Sequence, residues 1–170
     1  MRRDETGFAE FFQESWAPCL RAVGASTGDM LLAEEQVAEA FARAWASWPK
    51  VSRHPAPRAW VVRTALNAGA SRWRRRAREL PLVDRDVAAP GSLGADLDAA
   101  VLTALRRLPV RQREVIALRV FLDLDVETTA RELGIAPGTV RAHLARAVAA
   151  LRRDLAQAAT TETEPCPTTI

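Results

Sequence analysis

The chain has no tyrosine, one lysine, two histidines and two cysteines, and only 6% of its 170 residues are aromatic. These shortages exclude several classes of protein. Cys19 and Cys166 lie far apart, and no C-x-x-C or Cys/His cluster exists, which argues against a zinc site. His54 and His143 fall in different halves, there is no glycine-rich phosphate loop, and no catalytic set can be assembled, so nothing points to an enzyme. Strand-like alternation is missing. No apolar run approaches membrane-spanning length and no signal-peptide pattern opens the chain, which predicts a cytosolic protein. Cys19, flanked by apolar residues, reads as a small buried hydrophobe. Cys166 sits in a polar tail. A redox switch is the minor alternative, since a reactive thiol needs an electropositive setting.

Arginine, alanine and leucine are abundant. Hydrophobic residues make up 48% of the chain, enough for a packed core. The net charge is only +3, yet of 24 cationic residues 23 are arginine and one is Lys50. Arginine's planar fork suits phosphate and guanine. A high-GC genome would also enrich arginine, and composition leaves both explanations open.

The spacing predicts an all-α protein. A first helix is expected over about Gly7–Val23, with Phe8, Phe11, Phe12, Trp16, Cys19, Leu20 and Val23 at helical spacing, then a turn over Gly24–Gly28. A second runs from about Asp29 to Trp48 and stops at Pro49, with Val37, Phe41, Ala44, Trp45 and Trp48 as its apolar stripe. Pro55 and Pro57 open a third that ends near Asn67, with Gly69 as breaker. A fourth, basic segment follows from Ser71 to Glu79. Pro81, Pro90, Gly91, Ser92 and Gly94 mark a flexible linker. Helicity resumes with Leu97–Leu108, is interrupted at Pro109, and continues over Val110–Phe121. Asp125 is a candidate N-cap for Val126–Leu133. The expected organisation is two small helical domains, 1–80 and 96–157, joined by a flexible linker at 81–95 and followed by a disordered tail at 158–170.

Leu133-Gly-Ile-Ala-Pro-Gly-Thr-Val-Arg-Ala-His-Leu-Ala-Arg146 is the most telling stretch. Gly134 tolerates positive φ and can end one helix sharply, and Pro137 suits the first turn of the next. Val140, Leu144, Ala147 and Leu151 form one apolar stripe, with Arg141 and Arg146 on other faces. This is the pattern of a helix-turn-helix, whose second helix fits the major groove. Arg141 and Arg146 are candidates for base edges, with phosphate contact as the alternative. Thr139 near the helix start suits a phosphate, and His143 is an edge residue.

Two further features need a partner. Arg72, Arg74, Arg75, Arg76 and Arg78 crowd one short segment, and such repulsion is relieved by a polyanion. Trp73 within it could stack on a base or pack beneath it, and Trp60 reads as core. Glu34, Glu35 and Glu39, with Arg43, line the second helix opposite its apolar stripe. Those acids would repel DNA but suit a basic protein surface; an ordinary solvated face with a Glu39–Arg43 pair is the alternative.

Ala33-Glu-Glu-Gln-Val-Ala-Glu-Ala-Phe-Ala-Arg-Ala-Trp45, Ala59-Trp-Val-Val-Arg-Thr-Ala-Leu-Asn67 with Ser71-Arg-Trp-Arg-Arg-Arg76, Leu108-Pro-Val-Arg-Gln-Arg-Glu-Val115 and Gly138-Thr-Val-Arg141 resemble, in order, the conserved segments of extracytoplasmic-function sigma factors, small bacterial sigma subunits of RNA polymerase. The likeness covers about residues 7–155, and the Trp-Arg-Arg-Arg ending is similar to an actinobacterial sigma-E-like subgroup. The resemblance implies that the first half is region 2. Its Glu34, Glu35, Glu39 and Arg43 would meet the clamp helices of the β′ subunit of the polymerase core. Its Trp60, Arg63, Asn67, Ser71, Arg72, Arg74 and Arg75 would hold the melted −10 strand, with a base flipped into a pocket near residues 67–70. The second half would be region 4, docking on the β flap and reading the −35 element through Thr139, Arg141, Ala142, His143 and Arg146. It further implies a monomer when free, no cofactor or metal, no membrane insertion, residence in the cytoplasm on the nucleoid, and an anti-sigma factor as a candidate partner.

The chain departs from the family pattern at several positions. Gln36 stands for a usual Leu and Ala38 for a usual Gln, which would alter the clamp contact. Ser71 stands for a common Asp, which blurs −10 specificity. Thr128 and Thr129 replace a Glu-Ile pair, which would loosen the first helix of the helix-turn-helix. Ala142 removes one hydrogen bond to DNA. The competing reading, a LuxR-like response-regulator output protein, also fits Thr139–Leu144, but it would need a receiver or ligand domain upstream, and no βα pattern is present.

Overall fold

The computed structural model describes residues 2–79 and 98–161, with side chains over 5–68 and 98–159. The linker, Cys166 and the end of the tail lie outside them. Among the described residues there are eight α-helices, one π-helical turn and no strand.

Helix α1 runs from Arg2 to Thr27, longer than its apolar spacing predicts. Gly24 does not end it. A Cβ at Gly24 would collide with Met30 Sδ, so the missing side chain serves close packing inside the helix. The turn is confined to Gly28, at φ +71°, and Asp29, whose carboxylate accepts the Leu32 N–H at 3.0 Å and caps α2, Met30–Ala46. Helix α2 stops two residues earlier than expected. Pro49 lies instead in the first turn of a separate short helix α3, Trp48–Val51, where its missing N–H costs nothing.

Pro18 sits inside α1 and cannot donate to the Glu14 carbonyl. Arg58 compensates from across the fold: its Nη2 donates to that carbonyl at 3.4 Å and its Nε to the buried Ser15 Oγ at 3.1 Å. This contact staples α1 to the start of α4, Pro57–Glu79. Helix α4 is continuous. The break expected at Gly69 and the separate segment from Ser71 do not occur. An interior glycine costs about 1 kcal/mol, and the surrounding alanines and arginines, all strong helix formers, offset it.

In the second half, Asp98 caps α5, Ala99–Arg107. Leu108 and Pro109 are extended, and α6 spans Val110–Ile116. Its continuation, Ala117–Phe121, widens into a π turn that closes with Leu122 N–H on the Ala117 carbonyl at 3.2 Å. Asp125 caps α7, Val126–Leu133, as expected. Helix α8 runs from Pro137 to Thr161, so helix persists through residues 158–161, where the sequence suggested disorder.

The first core lies between α1, α2 and α4: Cys19, Val23, Val37, Phe41, Val61 and Val62 are fully or almost fully buried. Phe8, Phe11, Phe12, Trp16, Phe41, Trp45 and Trp48 form a chain of ring contacts along one side of it, with centroids 5.0–6.3 Å apart. Trp45 is only partly absorbed; it remains 46% exposed although the apolar stripe predicted it inside. Smaller cores hold α5, α6 and α8 together around Leu105 and Ile116, and α6, α7 and α8 together around Val115, Ala130 and Val140. The two halves also share buried surface. Leu102, Ala117 and Leu118 join the first core, with Phe121, Leu122, Leu124 and Leu133 packed against it. Ala25 of α1 in turn joins the core around Leu105.

Candidate nucleic-acid interface

The helix-turn-helix is built as its turn residues require. Gly134 ends α7 at φ +65°, ψ +36°, and its N–H donates to the Ala130 carbonyl. The Ile135 N–H meets the same carbonyl at 3.0 Å. Helix α8 starts at Pro137, and Val140 N–H closes the first turn on the Ala136 carbonyl at 3.1 Å. Val115, Ala130 and Val140, with Leu133, Ile135 and Leu144 around them, fix the angle between the two helices. The stripe Val140, Leu144, Ala147 and Leu151 faces inward.

The opposite side of α8 is the candidate reading surface. Thr139, Arg141 and Arg146 are exposed, and Ala142 and His143 are half-buried. Arg141 Nη2 lies 3.3 Å from Glu127 Oε1 on α7, so an exposed ion pair ties the two helices together in the free protein. His143 Nδ1 is enclosed without a hydrogen-bond partner among the described residues.

Asp125 sets the start of α7. Its carboxylate accepts the Thr128 N–H at 2.7 Å and the Thr128 hydroxyl at 2.9 Å. These bonds, the backbone one foremost, hold its carboxyl below the usual carboxylate range. Thr129 is completely buried, and its hydroxyl has no partner among the described residues. What the departure from the family's Ile leaves at this position is a buried oxygen without a partner among the described residues, not a gap at the surface.

The second surface runs along α4. Because the helix is unbroken, positions 60, 63, 67, 71 and 74 share one side of it at intervals of three or four residues; position 75 lies at the edge and 72 off it. Trp60 is half-buried against the first core. Arg63 and Asn67 are exposed. The side chains of Ser71, Arg72, Arg74 and Arg75 lie outside the described residues. Arg63 Nη1 is 3.5 Å from Glu132 Oε2 on α7, in the other half.

The third surface is the outer side of α2. Glu35 and Arg43 are exposed, Glu34 and Glu39 half-buried, and Glu39 pairs with Arg43. Leu31, Ala38, Ala42 and Trp45 continue the exposed face. Gln36 does not belong to it. It is buried among the core residues of α2 with its Oε1 unpaired among the described residues, so its departure from the family pattern alters the core and not the clamp contact.

Both halves match known protein families. Residues 10–79 match Sigma-70 region 2, and residues 98–151 match Sigma-70, region 4. The RNA polymerase sigma-E factor of Streptomyces antibioticus is 30% identical over 152 residues, covering 87% of this chain and 84% of that protein. The ECF RNA polymerase sigma factor SigL of Mycobacterium tuberculosis is 35% identical over 140 residues, 76% and 77% of the two chains. The chain belongs to the extracytoplasmic-function sigma factors. Its fold is shared with the sigma factor RpoE of Bartonella quintana, solved in complex with the anti-sigma factor NepR. The two superpose with a TM-score of 0.74 over 88% of this chain and 96% of that one, at 24% identity. As a sigma factor it is a promoter-recognition subunit of RNA polymerase and not an enzyme. With sigma regions matched in both halves, the LuxR-like reading loses its footing. Among the described residues no helix is long and apolar enough to cross a membrane.

Sequence reasoning missed the acidic partners. Glu127 and Glu132 are ordinary helix residues in the one-dimensional pattern, and their arginines lie 14 and 69 positions away. Nothing in local periodicity connects them.

Proposed function

We propose that this sigma factor divides its work between residues 1–80 and 96–157, with 81–95 as a flexible linker and 158–170 as a tail. Glu34, Glu35, Glu39 and Arg43 dock on the clamp helices of core polymerase. Trp60, Arg63, Asn67, Ser71, Arg72, Arg74 and Arg75 hold the melted −10 strand. Thr139, Arg141, Ala142, His143 and Arg146 meet the −35 element, and the second half also docks on the β flap. The free protein is a monomer working in the cytoplasm on the nucleoid, and an anti-sigma factor is a candidate regulator. The observation that carries this reading is the recognition helix, which buries one stripe in a three-helix cluster and turns Thr139, Arg141 and Arg146 outward.

The test is run-off transcription with bare core polymerase and genomic templates, mapping the starts. The chain is expected to confer starts at a defined promoter class. Promoter-independent transcripts would overturn the reading.

A further inference from the structure

Glu127 is the second residue of α7, just inside the Asp125 cap, and its side chain is exposed. Its ordinary partner along the helix would be Arg131, one turn on. Arg131 instead donates from Nη2 to the hydroxyl of Thr128, one of the departures from the family pattern, at 3.1 Å. Among the described residues Glu127 is thereby left to Arg141, whose Nη2 donates to its Oε1 at 3.3 Å across the helix-turn-helix. The cap, the Gly134 turn and the core of Val115, Ala130 and Val140 fix the two helices against each other, so the packing of the motif sets this pairing.

An ion pair this exposed contributes little to folding. It also opposes DNA binding, because the first helix of such a motif crosses the phosphate backbone and a carboxylate there repels a polyanion. What it does accomplish is to direct a guanidinium. Arginine presents its N–H donors in a planar fork. Whichever Nη2 hydrogen the carboxylate takes, one two-donor edge stays free, and that edge matches O6 and N7 of guanine. The carboxylate repels a phosphate that would take the same edge, whereas it does not repel the neutral base. It also holds a long side chain in one orientation before binding, so less rotamer freedom is lost in the complex.

We propose that Glu127 is a positioning residue for −35 reading: by holding Arg141 it turns the guanidinium away from the phosphate backbone and toward one guanine, raising base selectivity while lowering overall affinity. This rests on Arg141 as a reader of base edges. Glu127 touches no base itself and acts through Arg141, so its contribution vanishes when Arg141 is absent. Its loss has opposite effects on the two kinds of DNA contact. Preference falls at one base pair, and sequence-independent binding holds or tightens.

The experiment uses holoenzyme, core polymerase with the full chain. It selects from a promoter library built on one mapped start, with every base of the −35 element randomised, and poly(dI-dC) serves as the non-promoter duplex. Sequencing the bound fraction gives the preference at each pair. Arg141→Ala should lose about tenfold preference at one G·C pair. Glu127→Ala should lose about threefold at that same pair, keep the preferences at the other −35 pairs, and bind poly(dI-dC) as tightly as wild type or more so. Adding Glu127→Ala to Arg141→Ala should change nothing further. Unchanged preference in Glu127→Ala, where Arg141→Ala loses it, would overturn the positioning role and leave Arg141 as a base reader. Parallel weakening of Glu127→Ala on poly(dI-dC) and on every library member would also overturn it, making Glu127 a structural support of the motif. If Arg141→Ala lowers binding equally on all sequences, Arg141 is a phosphate contact, and its base-reading assignment fails together with the proposal.

Discussion

At the scale of single residues, two of the positions where this chain departs from its family pattern are buried polar sites. Thr129 and Gln36 each enclose an oxygen without a partner among the described residues, and an unsatisfied buried group costs about 1–3 kcal/mol. Thr129→Val keeps the shape and removes the oxygen, so it should raise unfolding free energy by about 1 kcal/mol in denaturant melts. A loss of stability would show that the hydroxyl is hydrogen-bonded after all. Two glycines make a paired comparison. Gly28 and Gly134 both have positive φ, but a Cβ at Gly134 meets open space while one at Gly28 collides with Arg106. Gly134→Ala should cost about 1–2 kcal/mol, the left-handed penalty alone, and Gly28→Ala should cost more. Equal losses would mean Arg106 moves aside freely. Cys19 was legible from its apolar neighbours: it is buried, its thiol faces the Arg58 carbonyl, and burial pushes its pKa up to about 12. It should react with a thiol reagent only as fast as the protein unfolds.

At the scale of elements, the helix-turn-helix was readable because its signals are local. A glycine at the turn, a proline at the next helix start and an aspartate cap each act within a few residues. The cap gives a pH prediction. Because hydrogen bonds lower the folded pKa of Asp125, its contribution is full above the unfolded value of about 3.9 and is lost as pH falls through the lower folded value. The difference in melting temperature between wild type and Asp125→Ala should therefore be constant near neutrality and shrink on acidification. A gap that widens in acid would reverse the sign. Helix α4 was misread as two pieces because the breaker propensity of Gly69 was weighed alone, whereas a helix forms on the sum over its length. The correction matters for function, since one helix puts positions 60, 63, 67, 71 and 74 in a single register. The same lesson applies to α3, where a proline taken as a stop is the start of another turn.

At the scale of the whole molecule, the family pattern gave the two halves in their order, and the structure adds that they pack on each other through Leu118, Phe121, Ala25 and the Glu132 ion pairs. Such contacts join residues dozens of positions apart, and the small side chains that permit them, such as Ala25, carry no pattern of their own. The α2 face stays open in this arrangement. Glu35→Ala combined with Glu39→Ala should therefore weaken pull-down by core polymerase while leaving −35 DNA binding alone. Undiminished core binding would remove those acids from the interface. The central claim is that one chain reads two promoter elements with two separate residue sets. It is tested most directly by run-off transcription on matched templates altered at −35 or at −10, comparing wild type, Arg141→Ala and Asn67→Ala. Arg141→Ala should lose about 1–3 kcal/mol of discrimination at −35 only, and Asn67→Ala should lose discrimination at −10 only. Equal loss by either variant on every template would contradict the division of labour.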